Sequence, residues 1–287
     1  MTSDTAVIVS TYENSRALDL VLRAWARQQV KPRWVVVADD GSGPETAAVV
    51  RRWGAEHVRL EHDRIFGKCR IVNAAVLRAR ELGARWALFT DGDWLPARDL
   101  LARHLEETRP SRYVSGGCIR LSREVSEAMR AEDVDAGAFE REAGNKPQYA
   151  LPRALGHFLD RVQPRRAPWK GGNSSAWVED FVRVGGYDER FGWGLEDNEL
   201  GARLENAGVR GFSIRYTAPV WHLWHERPWM DPAALAGHQH MLEATRRTRA
   251  TFTEHGIGTP VVGGRAPGGA GRPPGGAGDE EPASVDR

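Results

Sequence analysis

Arg85-Trp86-Ala87-Leu88-Phe89-Thr90-Asp91-Gly92-Asp93 is the stretch whose reading decides the fold. Apolar residues run straight into two acids separated by a single glycine. A short apolar run bounded by turn residues is how a strand buried on both faces of a parallel sheet looks. Open α/β sheets bind ligands outside the carboxyl ends of such strands. An acid pair there suits a divalent cation, because hard cations prefer carboxylate oxygens. An ordinary Asp-Gly turn explains the same residues without any ligand, so the surrounding sequence must arbitrate.

Upstream, strand and helix patterns alternate, the sign of a parallel sheet with crossover helices. Ala6–Ser10 reads as a first strand. A helix follows, with Leu18, Val21, Leu22 and Trp25 on one face and Ser15 as its cap. Trp34–Ala38 is a second strand ending in Asp39-Asp40-Gly41-Ser42, and Pro44 opens the next helix, which reaches Trp53. Val58–Leu60 is a weak third strand, and 67–82 is a helix stopped by Gly83. Downstream, Pro96 is expected to start a helix through Leu100, Leu101 and Leu105, and Val114–Leu121 to form one strand.

Residues 122–168 are polar and repeatedly broken by proline, with helix-like patches at Val125–Met129 and Leu155–Leu159. They read as a lid or acceptor-side insertion between a first half (1–121) and a second half (169–262). In that second half Trp177, Val178, Phe181 and Val182 predict a helix stopped by Gly185-Gly186. Glu196 to Gly208 predicts another, Gly211–Tyr216 a strand, and Pro232–Arg249 a final helix. From 263 to 287 the chain is Gly- and Pro-rich without apolar pattern, which predicts disorder.

A formal net charge of +1 gives no electrostatic footprint for nucleic acid or an anionic membrane. The two cysteines, Cys69 and Cys118, are too few for a disulfide framework and lack zinc-site spacing. No signal-peptide pattern opens the chain, and no stretch approaches the ~20 apolar residues of a membrane span. A reducing, cytoplasmic setting fits these features.

Asp39-Asp40 closes a strand on the same sheet edge as Asp91/Asp93, and could accept hydrogen bonds from a nucleobase or ribose; a simple Asp-Gly-Ser turn is the alternative. The first strand is followed by Thr11-Tyr12-Glu13-Asn14, not by the glycine-rich turn of a dinucleotide fold, and there is no P-loop. A diphosphate would therefore need a cation and basic side chains, for which Arg64, Lys68 and Arg70 are candidates. Glu196-Asp197 opens a helix, where acids are favoured by the dipole, but Trp193-Gly194 just before it offers an aromatic plate for a sugar. His222 and His225, three apart between tryptophans, add metal-ligand chemistry to the upstream acids.

Together, Val7-Ile8-Val9-Ser10-Thr11-Tyr12, Val35-Val36-Val37-Ala38-Asp39-Asp40-Gly41-Ser42 and Thr90-Asp91-Gly92-Asp93 resemble a GT-A glycosyltransferase of the family 2 type. Gly171-Gly172-Asn173-Ser174-Ser175, Gly186–Phe191 and Trp193–Leu200 resemble the carboxyl-terminal half of galactosyl- and N-acetylgalactosaminyltransferases. The resemblance implies a Rossmann-like α/β fold with a mixed central sheet flanked by helices. It implies a UDP-sugar donor, Mn²⁺ or Mg²⁺ as cofactor, and a glycan, lipid-linked sugar, peptide or small molecule as acceptor. Thr11, Tyr12, Asp39 and Asp40 would meet the base and ribose, with Lys68 and Asn73 seating the nucleotide. Asp91-Gly92-Asp93 matches the DxD motif, with Asp93 the direct metal ligand and Asp91 nearer the ribose. Asp197 matches the general base of inverting members and Glu196 an acceptor-binding acid. His225 would complete the metal site, with His222 as its rival. Gly171, Gly172, Asn173, Trp193 and Gly194 would bind substrate.

Two departures bear on the substrate. The proline common before Thr-Tyr is absent, and so is the Gln-x-x-Arg-Trp signature of processive synthases, which favours addition of a single sugar. A GT-A fold that binds a nucleotide sugar without turnover is one alternative. A nucleotidyltransferase is another, but it would want a Gly-rich, Arg-containing loop after the first strand.

Overall fold

The computed structural model describes residues 4–61, 67–142, 144–145, 152–162, 167–226 and 232–258. Arg64 and the Gly/Pro-rich stretch from 263 onward lie outside them.

Among the described residues the main sheet has seven strands: β1 (Thr5–Thr11), β2 (Trp34–Asp39), β3 (Glu56–Arg59), β4 (Trp86–Asp91), β6 (Arg112–Ser115), β8 (Ser174–Trp177) and β9 (Arg210–Ser213). Their order is β3-β2-β1-β4-β8-β6-β9. From β3 to β4 every pairing is parallel, whereas β8 runs antiparallel to both β4 and β6. The chain leaves β1 toward β2 on one side and returns to β4 on the other, so a topological switch point opens between β1 and β4. Register sets Thr11 against Asp39 and Ser10 against Asp91, which brings the three carboxyl ends to one edge.

The parallel strands are apolar on both faces because both faces are covered. Val7, Val9, Val37 and Leu88 point toward α1 (Ser15–Ala26) and α2 (Pro44–Trp53). Ala6, Ile8, Val36 and Phe89 point toward α3 (Lys68–Glu81), α8 (Val178–Arg183) and α9 (Glu196–Asn206). The cap of α1 is Asn14, not Ser15: its side-chain oxygen accepts from Ala17 N at 3.1 Å.

A second sheet of three strands, β5 (Trp94–Pro96), β10 (Pro219–His222) and β7 (Gly117–Arg120), lies in the order β5-β10-β7. Two expectations change here. Pro96 ends strand β5 instead of starting a helix; α4 (Leu100–Glu106) begins later, and a proline is tolerated because β5 is an edge strand. Val114–Leu121 is not one strand but two, β6 and β7, in different sheets. The chain switches at Gly116-Gly117, where a Cβ would strike the Asn173 amide, the Ala218 carbonyl and the Arg215 carbonyl.

Residues 122–168 contain α5 (Arg123–Ala128), α6 (Ala131–Ala136), a 3₁₀ turn at Ala138–Arg141 and α7 (Arg153–Val162), and no strand among the described residues. Trp177 belongs to β8, not to the helix after it. The final helix α10 (Pro232–Thr248) closes on α9.

Candidate active site

The cleft lies at the switch point. It is lined by Ser10, Thr11 and Tyr12 from the end of β1, Asp40 after β2, Lys68 at the start of α3, Asp91 and Asp93 after β4, and Trp193, Glu196 and Asp197 at the start of α9. His222 and His225 reach it from the end of β10.

On the strand-end side, Asp91 Oδ1 accepts from Ser10 Oγ at 2.6 Å and from Lys68 Nζ at 2.8 Å. Burial opposes ionisation of Asp91, but Lys68 holds the carboxyl below its ordinary value. Lys68 is itself held charged: burial disfavours the ammonium, and Asp91, Asp197 and Glu196 overcome it. Of the Asp39/Asp40 pair, only Asp40 faces the cleft. Asp39 is fully buried and committed to the turn, accepting Ser42 N at 2.8 Å and meeting His57 Nε2 at 2.9 Å. Asp40 accepts Gly67 N at 2.8 Å, which pins the entry to α3. Gly92 is crowded by β1, since a Cβ there would stand 3.0 Å from Thr11 Oγ1 and 3.1 Å from the Ser10 carbonyl.

Asn73, expected to seat the nucleotide, does not line the cleft. It is buried, donates to the Tyr187 carbonyl (2.9 Å) and Glu189 Oε1 (3.0 Å), and accepts from Tyr187 N (2.8 Å). Both of its amide hydrogens are used within the fold. Asn173 is likewise internal: its amide donates to the carbonyls of Gly117 and Ala218, and its oxygen meets His104 Nε2 at 2.9 Å. Gly171 and Gly172 do not line the cleft either. A Cβ on Gly172 would strike the Trp94 ring, and one on Gly171 would stand 2.8 Å from both Asp197 Oδ1 and the Tyr187 hydroxyl.

Asp93, His222 and His225 form the candidate metal centre. His225 Nε2 is 3.2 Å and His222 Nε2 3.4 Å from Asp93 Oδ2, and one donor atom from each lies within 4.8 Å of the others. The hydrogen bond from Leu223 N to the Asp93 carbonyl (2.9 Å) brings the end of β10 to the turn that carries the acid. Both histidines are present, so the rivalry between them resolves into a pair. Asp91, also expected as a ligand, is not in this group; its Oδ1 meets Lys68 and Ser10. The residues fit a divalent cation: His222 Nε2 is buried, aimed at Asp93, and lacks a well-directed hydrogen-bond partner among the described residues. Burial disfavours charge on His222, but Asp93, helped by Cys118, raises its pKa to about 9, so a cation would displace a proton there.

On the α9 side the backbone itself is strained. Gly194 (φ +99°) and then Leu195 (φ +70°) take left-handed conformations just before Glu196 and Asp197. A leucine there is uncommon, and strain of this kind gathers at functional turns. Glu196 Oε2 accepts Gly194 N at 2.8 Å. Burial, then the charge of Asp197, lifts Glu196 to about 7. Asp197 is raised as well by burial, against the pull of Lys68, the Gly171 N–H and the Tyr187 hydroxyl. Trp193 stands beside them as an aromatic wall.

Several cleft residues escape a linear reading. Trp94, Arg120, Glu13 and Glu226 all line the cleft. Trp94 follows Asp93 directly and could have been noticed. Arg120 could not: it arrives as the parallel partner of His222 across the small sheet.

A mixed sheet with a cleft at its switch point, an acid–histidine cluster that could hold a cation and a buried carboxylate pair match a GT-A glycosyltransferase scaffold. The chain belongs to glycosyltransferase family 2, whose sequence profile matches residues 6–161, more than half its length. A second profile, described as the N-terminal domain of galactosyltransferase, matches residues 154–226. The chain is 33% identical over 233 residues to a validoxylamine A glucosyltransferase of Streptomyces hygroscopicus subsp. limoneus, covering 71% of this chain and 48% of that one. It spans about half the length of the validoxylamine relatives it matches. In fold it is similar to a mannosyltransferase from Pyrobaculum calidifontis solved with GDP-Man and Mn²⁺ (TM-score 0.55, 20% identity, 85% of this chain and 64% of that one). It is also similar to GalNAc-T7 solved with UDP, GalNAc and Mn²⁺ (TM-score 0.59, 14% identity, 83% and 47%).

Proposed function

We propose that this protein is a metal-dependent, inverting glycosyltransferase that moves one hexose from a UDP-sugar to an acceptor hydroxyl. The observation that carries this reading is a single cleft lined both by the Asp93–His222–His225 centre and by the buried Glu196–Asp197 pair.

Thr11, Tyr12 and Asp40 receive the base and ribose, while Lys68 fixes Asp91 near the ribose. Asp93, His222 and His225 would hold the cation, which when bound supplies positive charge against the leaving diphosphate. An imidazole-bearing ligand set favours Mn²⁺ over Mg²⁺. The acceptor oxygen bonds to the anomeric carbon on the face opposite the diphosphate. The bond from that carbon to the diphosphate oxygen breaks with its electron pair, and the acceptor's proton passes to Asp197. Glu196 engages acceptor hydroxyls and Trp193 stacks on the sugar ring.

A galactose-type donor, galactose or N-acetylgalactosamine, is supported by the 154–226 match. Glucose is the second reading, supported by the glucosyltransferase relative. No described helix is long and apolar enough to cross a membrane. The reading implies a cytoplasmic enzyme, at the inner membrane face if the acceptor is lipid-linked.

The test is UDP release from UDP-galactose, UDP-N-acetylgalactosamine and UDP-glucose with Mn²⁺, with and without EDTA. Acceptors should include glycans, lipid-linked sugars, peptides and cyclitols such as validoxylamine A. Metal-dependent, acceptor-stimulated release is expected. Nucleotide binding without turnover across the panel would leave a nucleotide-sugar-binding protein instead.

A further inference from the structure

Asp197 is held from behind by a chain of side chains that no part of the reaction scheme uses. Its Oδ2 accepts the Gly171 N–H at 2.8 Å, and its Oδ1 accepts the Tyr187 hydroxyl at 2.7 Å. The Tyr187 oxygen accepts in turn from Trp169 Nε1 at 2.8 Å. Tyr187 and Trp169 are each 1% exposed and sit in the aromatic cluster with Phe89 and Phe181, so neither touches a substrate in the cleft.

The direction of these bonds is fixed by donor chemistry. An indole N–H can only donate, so the Trp169 bond takes up a lone pair of the Tyr187 oxygen and leaves the phenolic O–H to point at Asp197. The phenol stays protonated, because burial and then the charge of Asp197 push its pKa well up. Gly171 completes the arrangement. Its N–H grips the second carboxylate oxygen, and its missing side chain leaves the space in which Asp197 and Tyr187 meet. Both carboxylate oxygens are thereby aimed, each with a further lone pair for an incoming proton.

We propose that Tyr187, oriented by Trp169, is a positioning residue for Asp197. Its hydroxyl fixes the carboxylate's orientation and keeps it ionised against the burial around it. The proposal rests on the reading of Asp197 as the base. The other charged groups acting on Asp197 are Lys68 from α3, Asp91 from β4 and its neighbour Glu196, and none of them is altered by changing Tyr187.

The test is Tyr187→Phe, alone and combined with Asp197→Asn, with transfer from the active UDP-sugar, UDP affinity and melting temperature all measured. Tyr187→Phe should lower kcat by roughly 10²-fold at most, the scale of a misplaced catalytic group, with the donor KM unchanged. The acid limb of its pH profile should move to higher pH, because the lost hydrogen bond favoured the ionised form. Added to Asp197→Asn, it should cost almost nothing further. An unmoved pH profile, or the same fold loss in both backgrounds, overturns the proposal. Full transfer by Asp197→Asn alone would instead overturn the reading of Asp197 as the base. If Tyr187→Phe does not fold, Gly171→Ala serves: it removes no polar group, yet its Cβ should part Asp197 from Tyr187 and lower kcat at constant UDP affinity. Unchanged kcat in that variant overturns the proposal.

Discussion

The two sides of the cleft are built differently. The nucleotide side is the edge of a parallel sheet: Ser10, Thr11, Asp40 and Asp91 arrive together because β1, β2 and β4 end in register. The side proposed for catalysis is assembled from distant pieces. Asp93 meets His222 and His225 through the small sheet, and Asp197 meets Gly171, Tyr187 and Trp169 through loops. On the first side parallel pairing brings the groups to one edge, where Ser10, Lys68 and the Gly67 N–H then hold the two acids. On the second, each group is placed by a specific hydrogen bond or a missing side chain, so single substitutions there should cost most.

The largest effect follows from Asp93→Asn. It removes the charge between two histidines while leaving β4 and the nucleotide side intact. Transfer should fall by about 10³-fold, the scale of losing one strong electrostatic stabiliser of a transition state, with affinity for UDP measured without metal unchanged. Transfer within tenfold of the parent would show that the cation is held elsewhere, and the contrast between the two sides would collapse.

Next comes Lys68→Met, which probes the nucleotide side. It strips Asp91 of its cationic partner, leaving Ser10 Oγ, and in the proposed complex sets a partly buried carboxylate against a diphosphate. Donor KM should rise roughly 10- to 100-fold, corresponding to about 1.4–2.7 kcal/mol, with a smaller change in kcat. A change confined to kcat would move Lys68 to the catalytic side.

The strand edge proposed for the nucleotide was largely legible in the sequence, because contiguous apolar runs ending in acids encode the strands and their shared edge. The candidate cation cluster was half legible: the residue types were evident, but only β10 lying against β5 brings them together. The support behind Asp197 was not legible, because nothing in the order of residues marks Trp169 and Tyr187 as its hydrogen-bond chain. β8 was missed as well. Ser174 and Ser175 carry no apolar signal, and they are buried only because Ser115 and His104 satisfy their hydroxyls. Asn73 and Asn173 misled in the opposite sense, since polar residues inside a motif can be structural clamps.

Asn73→Ala separates those two meanings. A nucleotide-seating residue would weaken UDP binding when truncated. The structure instead predicts unchanged UDP affinity and a stability loss of about 2 kcal/mol, because the Tyr187 backbone is left unpaired in the interior. Weaker UDP binding with an unchanged melting temperature would restore the sequence reading.

The smallest effect concerns the clamp beneath the catalytic side. His104 is fully buried between Ser175 Oγ (2.7 Å) and Asn173 Oδ1 (2.9 Å). Burial lowers its pKa from 6.5 to about 4, against the help of Asn173. A depressed histidine pKa means that the unfolded chain takes up a proton before the folded one does. The stability it contributes is therefore complete above pH 6.5 and is lost as pH falls toward 4. By pH 5.5 the loss should be about 1 kcal/mol. In His104→Gln, which cannot titrate, that part of the acid sensitivity should vanish, so the melting-temperature difference from the parent should narrow from pH 7 to 5. A difference that widens from pH 7 to 5 would mean that His104 is already charged in the fold. The buried Asn173 oxygen would then be accepting from a cation, and the clamp would belong with the charged network of the cleft instead of the neutral core beneath it.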